Sequence, residues 1–129
     1  MTTTQAPQVR NDGLLRFALK LDGVASAGLG LMALLFNDLP TGLPHGLVIG
    51  LSVFLLGYGV GVFILGLRPI RPLVAVVVIG NSVWVLDSFL TAFAGWFPVT
   101  GLGVFLIVAQ AVAVLGFITL QVLGLRRSA

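Results

Sequence analysis

The sequence predicts an all-α fold: a four-transmembrane-helix bundle running up-down-up-down. Composition is the first reason. The 129 residues are 58% apolar and only 9% charged, whereas a soluble domain carries about a quarter charged residues. So short a chain cannot hide that much apolar surface in one compact core. The second reason is spacing. Four apolar stretches lie at about Leu14–Phe36, Leu47–Leu67, Leu73–Gly95 and Leu102–Leu125, each long enough to cross a hydrocarbon core of about 30 Å. Inside lipid the backbone must satisfy its own hydrogen bonds, so isolated apolar runs are helices.

The polar residues 1–13, with Thr2, Thr3, Thr4, Gln5, Pro7 and Gln8, read as a disordered cytoplasmic tail before a single membrane domain over 14–127. Chain breakers separate the spans. Asn37, Asp38, Pro40, Thr41, Gly42, Pro44 and Gly46 form the first loop. Arg68-Pro69-Ile70-Arg71-Pro72 forms a tight second one, and Pro98, Thr100 and Gly101 the third. Short connections make successive helices antiparallel neighbours. A cleaved signal peptide ending at Ala25-Ser26-Ala27 fits poorly, because Lys20 and Asp22 interrupt the apolar region and the run continues to Phe36.

Charge placement predicts orientation. Arg10, Arg16 and Lys20 open span one, Arg68 and Arg71 lie between spans two and three, and Arg126 and Arg127 follow span four. The other two loops hold no Lys or Arg, so the positive-inside rule puts both termini in the cytoplasm. Trp96 and Phe97 suit an interfacial belt at the opposite end. The net charge of +3 is thereby accounted for without nucleic acid.

Seventeen glycines and no cysteines exclude disulfides, thiol chemistry, cysteine-ligated metals and quinone reduction through a cysteine pair. The one histidine, His45, stands in a loop and reads as solvated; it provides neither a metal or haem site nor a Ser-His-Asp triad. No metal and no cofactor is expected. Gly57–Gly61 (GYGVG) superficially matches a potassium-filter sequence but sits inside a full-length span.

What remains is a set of intramembrane polar candidates: Asp22, Asn81, Asp87, Gln110 and Tyr58. Ionisable groups in a helix centre cost roughly 2.5–3.5 kcal/mol on insertion. Rise per residue places Asp22 and Asn81 roughly 12 Å in from the basic end, with Tyr58 slightly deeper; Asp87 and Gln110 lie roughly 21–22 Å in, with Ser52 nearby. Two polar layers follow. On span three, Gly80, Asn81, Trp84, Asp87 and Ser88 share an arc of about 120°, expected to face the interior. Asp87, with no basic residue at its depth, is the leading candidate for a proton- or cation-binding group, against a plain hydrogen-bonding role between helices. Lys20 points away from Asp22 and is expected to snorkel. Asn81 is one expected partner for Asp22, and Arg71 or Arg126 are expected to be better ones. Gln110 and Gln121 are expected to stitch helices together. Gly46, Gly50, Gly57 and Gly61 lie near one face of span two and read as helix-packing positions within or between subunits, with Gly28, Gly30, Ala109 and Ala113 as further close-approach points.

Gly80-Asn81-Ser82-Val83-Trp84, Gly95-Trp96, Pro98, Thr100, Gly103, Gln110-Ala111 and Leu120-Gln121 through Gly124-Leu125-Arg126-Arg127, with the opening Leu14–Gly23, resemble small four-helix bacterial integral membrane proteins without assigned activity. In size and layout the chain also looks loosely DoxX-like. Small multidrug-resistance transporters use a first-helix glutamate, and this chain has no Glu; the third-helix Gly-Thr-Thr-Phe-Ser-type motif of fluoride channels is also missing. The expectation is a non-enzymatic inner-membrane protein whose partners are the lipid bilayer and either copies of itself, as a homo-oligomer, or a larger membrane protein. The alternative is a small proton- or solute-binding carrier or channel using Asp87 and Asp22. A membrane-embedded enzyme acting on a lipid or quinone ranks third, for lack of a nucleophile or metal set.

Overall fold

A computed structural model describes residues 12–128. It contains four α-helices: α1 (Gly13–Leu35), α2 (His45–Leu67), α3 (Arg71–Phe93) and α4 (Gly101–Arg127). The expected spans are met to within two residues at every end. Most of the expected tail, 1–13, lies outside the described residues; Asp12 forms a turn and Gly13 begins α1. All four helices are long and apolar enough to cross a membrane, and most of their large apolar side chains point outward, as a lipid solvent requires.

Helix ends follow from local chemistry. Pro44 precedes α2, and Pro72 occupies the first turn of α3, where a missing N–H costs nothing. Thr100 caps α4: its Oγ1 accepts from Gly103 N–H (3.1 Å) and donates to the Pro40 carbonyl (2.6 Å). Thr100 N–H also donates to the Thr41 carbonyl (2.9 Å), pinning the α1–α2 loop to the α3–α4 loop. Gly42, at φ 85°, turns the chain where Pro98 leaves no room for a Cβ. At the opposite end, arginines cap neighbouring helices. Arg16 donates to the Leu67 carbonyl (3.2 Å), and Arg71 to the Leu125 carbonyl (3.1 Å) and to Ser128 Oγ (2.7 Å). These cations complement the negative C-terminal ends of α2 and α4.

Packing is uneven. α1 and α2 are the most intimately joined pair, α4 packs on both α3 and α1, and α2 and α3 hardly meet. The α1–α2 contact is backbone against backbone. A Cβ on Gly30 would come within 2.7 Å of the Ser52 carbonyl, one on Gly23 within 2.7 Å of the Gly59 carbonyl, and one on Gly66 within 2.9 Å of Lys20 Cγ. Gly124 makes the same kind of approach to Leu15 on α1. Small residues are what permit such approach in lipid. Leu15, Leu19, Val62 and Val74 form the apolar core near the basic end.

The glycine stripe expected to pack does not pack inside the chain. Gly46, Gly50, Gly57 and Gly61 are exposed, and a Cβ on any of them meets nothing within 4 Å. Gly28 is equally free, and Ala109 is exposed. The glycines used are the other set on α2, Gly59 and Gly66, rotated away from the stripe by their position in the helical repeat.

Candidate functional site: a buried carboxylate beneath an aromatic cavity

Asp22 on α1 is fully buried and collects donors from all four helices. Its Oδ1 accepts from Ser26 Oγ–H (3.0 Å), one turn along α1. Its Oδ2 accepts from Asn81 Nδ2–H on α3 (2.9 Å) and Gln121 Nε2–H on α4 (2.8 Å), and lies 3.0 Å from the Tyr58 hydroxyl on α2. The same hydroxyl lies 2.8 Å from Asn81 Oδ1. Asn81 Nδ2 also donates to Gln121 Oε1 (3.3 Å). Neutral groups therefore hold the carboxylate. Neither expected arginine partner is among its contacts: Arg71 is engaged at the end of α4, and Arg126 is exposed in the last turn of α4.

Every group around the carboxylate is a donor, and the Tyr58 hydroxyl is within 3.0 Å of two acceptors, Asp22 Oδ2 and Asn81 Oδ1, with one proton to share between them.

The expected second layer is present, with different members. Trp84 Nε1–H donates to Gln110 Oε1 (2.8 Å), and Gln110 Nε2 donates to Ser88 Oγ (2.9 Å) and to the Ile107 carbonyl (2.8 Å). Ser52 is buried but bonds the Val48 carbonyl of its own helix. Asp87 does not join: it is exposed, with no hydrogen-bond partner among the described residues. The cause is rotation. Asn81, Val85 and Ser88 face the core, and six residues beyond Asn81 the helix has turned Asp87 by about 120° onto the flank. His45 also departs slightly from expectation, as it starts α2 and its Nε2–H lies 2.8 Å from Asn37 Oδ1. Gln121 is the site residue that sequence reasoning gave only a generic helix-stitching role.

Between the two polar layers, halfway along the helices, lies a cavity of about 270 Å³. Ser26, Tyr58 and Asn81 border it on the Asp22 side, and Trp84 and Gln110 on the other. Leu29, Phe54, Leu55, Val114 and Phe117 make its walls. Where α2 and α3 stand apart, the Phe54 ring stacks on Tyr58 (centroids 6.0 Å) and on Trp84 of α3 (6.1 Å). Phe54 is 55% exposed. One aromatic ring thus stands in the lateral gap between α2 and α3, where the cavity is partly open.

Among the described residues there is no grouping of three or more His, Cys, Asp or Glu placed to hold a metal ion. Comparison with protein-family models, with curated proteins and with solved structures finds no match.

Proposed function

We propose that this chain is a small membrane carrier whose working group is Asp22, binding a proton and a small solute in the adjoining cavity. The observation that carries the reading is a fully buried carboxylate, held only by neutral donors from four helices, beside a cavity at mid-membrane depth. A carboxylate that served only to join helices would be better replaced by an amide, which spares the cost of an ionisable group in lipid. We further place the protein in a bacterial inner membrane with both ends cytoplasmic. In the sequence all seven Lys and Arg fall before or early in the first span, between the second and third, or after the fourth, which supports that orientation.

The test is infrared difference spectroscopy of the full chain in lipid between acid and alkaline buffer. All four Asp contribute to the carboxylic-acid carbonyl region, so the readout is one component of it, which Asp22→Asn is expected to remove and Asp87→Asn to retain. A spectrum unchanged by Asp22→Asn overturns the assignment.

One observation favours a second reading, a self-associating or accessory subunit. Gly46, Gly50, Gly57 and Gly61 form an open stripe of small residues on α2, and Asp87 lies exposed on α3. Both are features that a neighbouring helix could cover.

A further inference from the structure

Resting on the carrier reading, the cavity lining identifies what the solute should be. Every side-chain donor that borders the cavity is already committed inside the protein. Ser26 O–H goes to Asp22, and the Tyr58 proton to Asp22 or Asn81. Both Asn81 Nδ2 protons go to Asp22 and Gln121. Trp84 Nε1–H goes to Gln110, and both Gln110 Nε2 protons go to Ser88 and Ile107. The lining is overwhelmingly apolar, with the rings of Phe54, Trp84 and Phe117 prominent in it, and the polar side chains in it, such as Ser26, Tyr58 and Gln110, have acceptor capacity but no donor to spare.

Charge points the same way. Asp22 lies directly behind Ser26, Tyr58 and Asn81, and the only ion pair among the described residues is Arg16–Asp12 at the surface. An anion would meet lone pairs, π faces and a carboxylate. A lipophilic cation would meet aromatic faces, which attract positive charge most strongly where water is excluded, with a carboxylate behind them and aliphatic walls for its apolar part. Size and access set the rest. About 270 Å³ falls just below the usual range for drug-sized ligands, and the Phe54–Trp84 stack bridges the seam where α2 and α3 hardly meet.

We propose that the cavity binds a small lipophilic organic cation, an ammonium carrying one ring or a short alkyl chain, admitted from the bilayer between α2 and α3. The cationic head rests against Tyr58 and Ser26, with the Asp22 charge one side chain behind, and the apolar part lies against Phe54, Phe117 and Val114.

The probe is benzyltrimethylammonium, compared with neopentylbenzene, its neutral carbon isostere, and with benzyl alcohol. The full chain in detergent carries Trp96→Phe, so that Trp84 alone reports by fluorescence. The ammonium is expected to produce a saturable change, and the isostere to bind roughly tenfold or more weakly. Asp22→Asn should weaken the ammonium by a similar factor and leave the isostere unchanged. Tyr58→Phe, which keeps the ring, should also weaken the ammonium should Asp22→Asn fail to fold. Gly80→Leu fills the cavity from a position with open space around its Cβ, and should abolish the change for every probe. Equal binding of ammonium and isostere, tighter binding of benzyl alcohol, or full ammonium affinity in both Asp22→Asn and Tyr58→Phe overturns the cation assignment. A titrating Asp22 band without ammonium binding removes the ligand class and leaves the carrier reading standing; loss of the band with ammonium binding intact does the reverse.

Discussion

Replacing Asp22 by two different residues separates the hydrogen-bonding role of this side chain from its charge. In Asp22→Leu the four donors around the carboxylate lose their common acceptor. Two of them have somewhere else to go. Tyr58 is already 2.8 Å from Asn81 Oδ1, and Ser26 can turn to the carbonyl four residues back in its own helix. Gln121 Nε2 and one Asn81 Nδ2 proton are left without a partner in buried positions, because the other Asn81 proton already goes to Gln121 Oε1, and the leucine branches must fit where planar oxygens sat. Each stranded donor costs about 1–3 kcal/mol. Asp22→Leu should therefore destabilise the bundle by about 2–6 kcal/mol. Asp22→Asn keeps an oxygen for Asn81 and Gln121 and can turn its amide toward Ser26, so its cost should stay within about 1 kcal/mol. The assay is SDS titration of the protein in mixed micelles, followed by circular dichroism and tryptophan fluorescence. An Asp22→Leu variant as stable as wild type would refute the hydrogen-bond reasoning. An Asn variant as unstable as the Leu variant would show that the negative charge, and not the acceptor geometry, holds the helices.

Two further outcomes follow from packing and charge. Gly59→Leu drives its Cβ into the α1 backbone at Gly23 and Ala27, where no flexible side chain can yield. It should cost about 3 kcal/mol or more in the same SDS titration, while Gly57→Leu, in open space, should leave the isolated chain's stability unchanged and alter oligomer size by light scattering if the stripe is an interface. For orientation, a reporter active only in the cytoplasm should be active when fused after Ser128, and one inserted between Asn37 and Pro44 should be silent.

The sequence carried the heights of the polar groups better than their directions. Asp22, Asn81 and Tyr58 were matched by depth alone, since rise along a helix is set by residue count, and the structure joins them. Gln121 lies about 9 Å from the end of α4 by the same count, and its long side chain covers the remaining difference to Asp22. Rotation has no such simple reading. The arc holding Asn81, Trp84 and Asp87 was correctly recognised as polar, yet its centre is not the buried direction; packing Asn81 on Asp22 swings Asp87 outward. The glycines teach a similar lesson. GxxxG spacings drew attention to Gly46, Gly50, Gly57 and Gly61, whereas the packed positions repeat every seven residues: Gly23 and Gly30 on α1, and Ser52, Gly59 and Gly66 on α2. A seven-residue repeat of small residues is the seam of a left-handed helix pair, and it was present in the sequence to be read.

The two functional readings meet at the same place in the fold. At about 100° per residue, Gly50 and Gly61 lie within about 40° of Phe54 on α2, and Asp87 lies within about 60° of Trp84 on α3. The open glycines and the exposed Asp87 carboxylate therefore flank the seam that the Phe54–Trp84 stack bridges. Tight backbone contact between α1 and α2, arginine caps at one end and pinned loops at the other leave the α2–α3 side as the one least restrained by packing. A helix of a second copy laid along that seam would cover the route from lipid to the Asp22 cavity and supply Asp87 with neighbours, so assembly and solute access would compete for one surface. Leucine at Gly50 or Gly61 distinguishes these roles, since it reaches the seam without touching Asp22. A change in oligomer size alone favours the subunit reading, and slower ammonium binding in a chain of unchanged size favours the carrier.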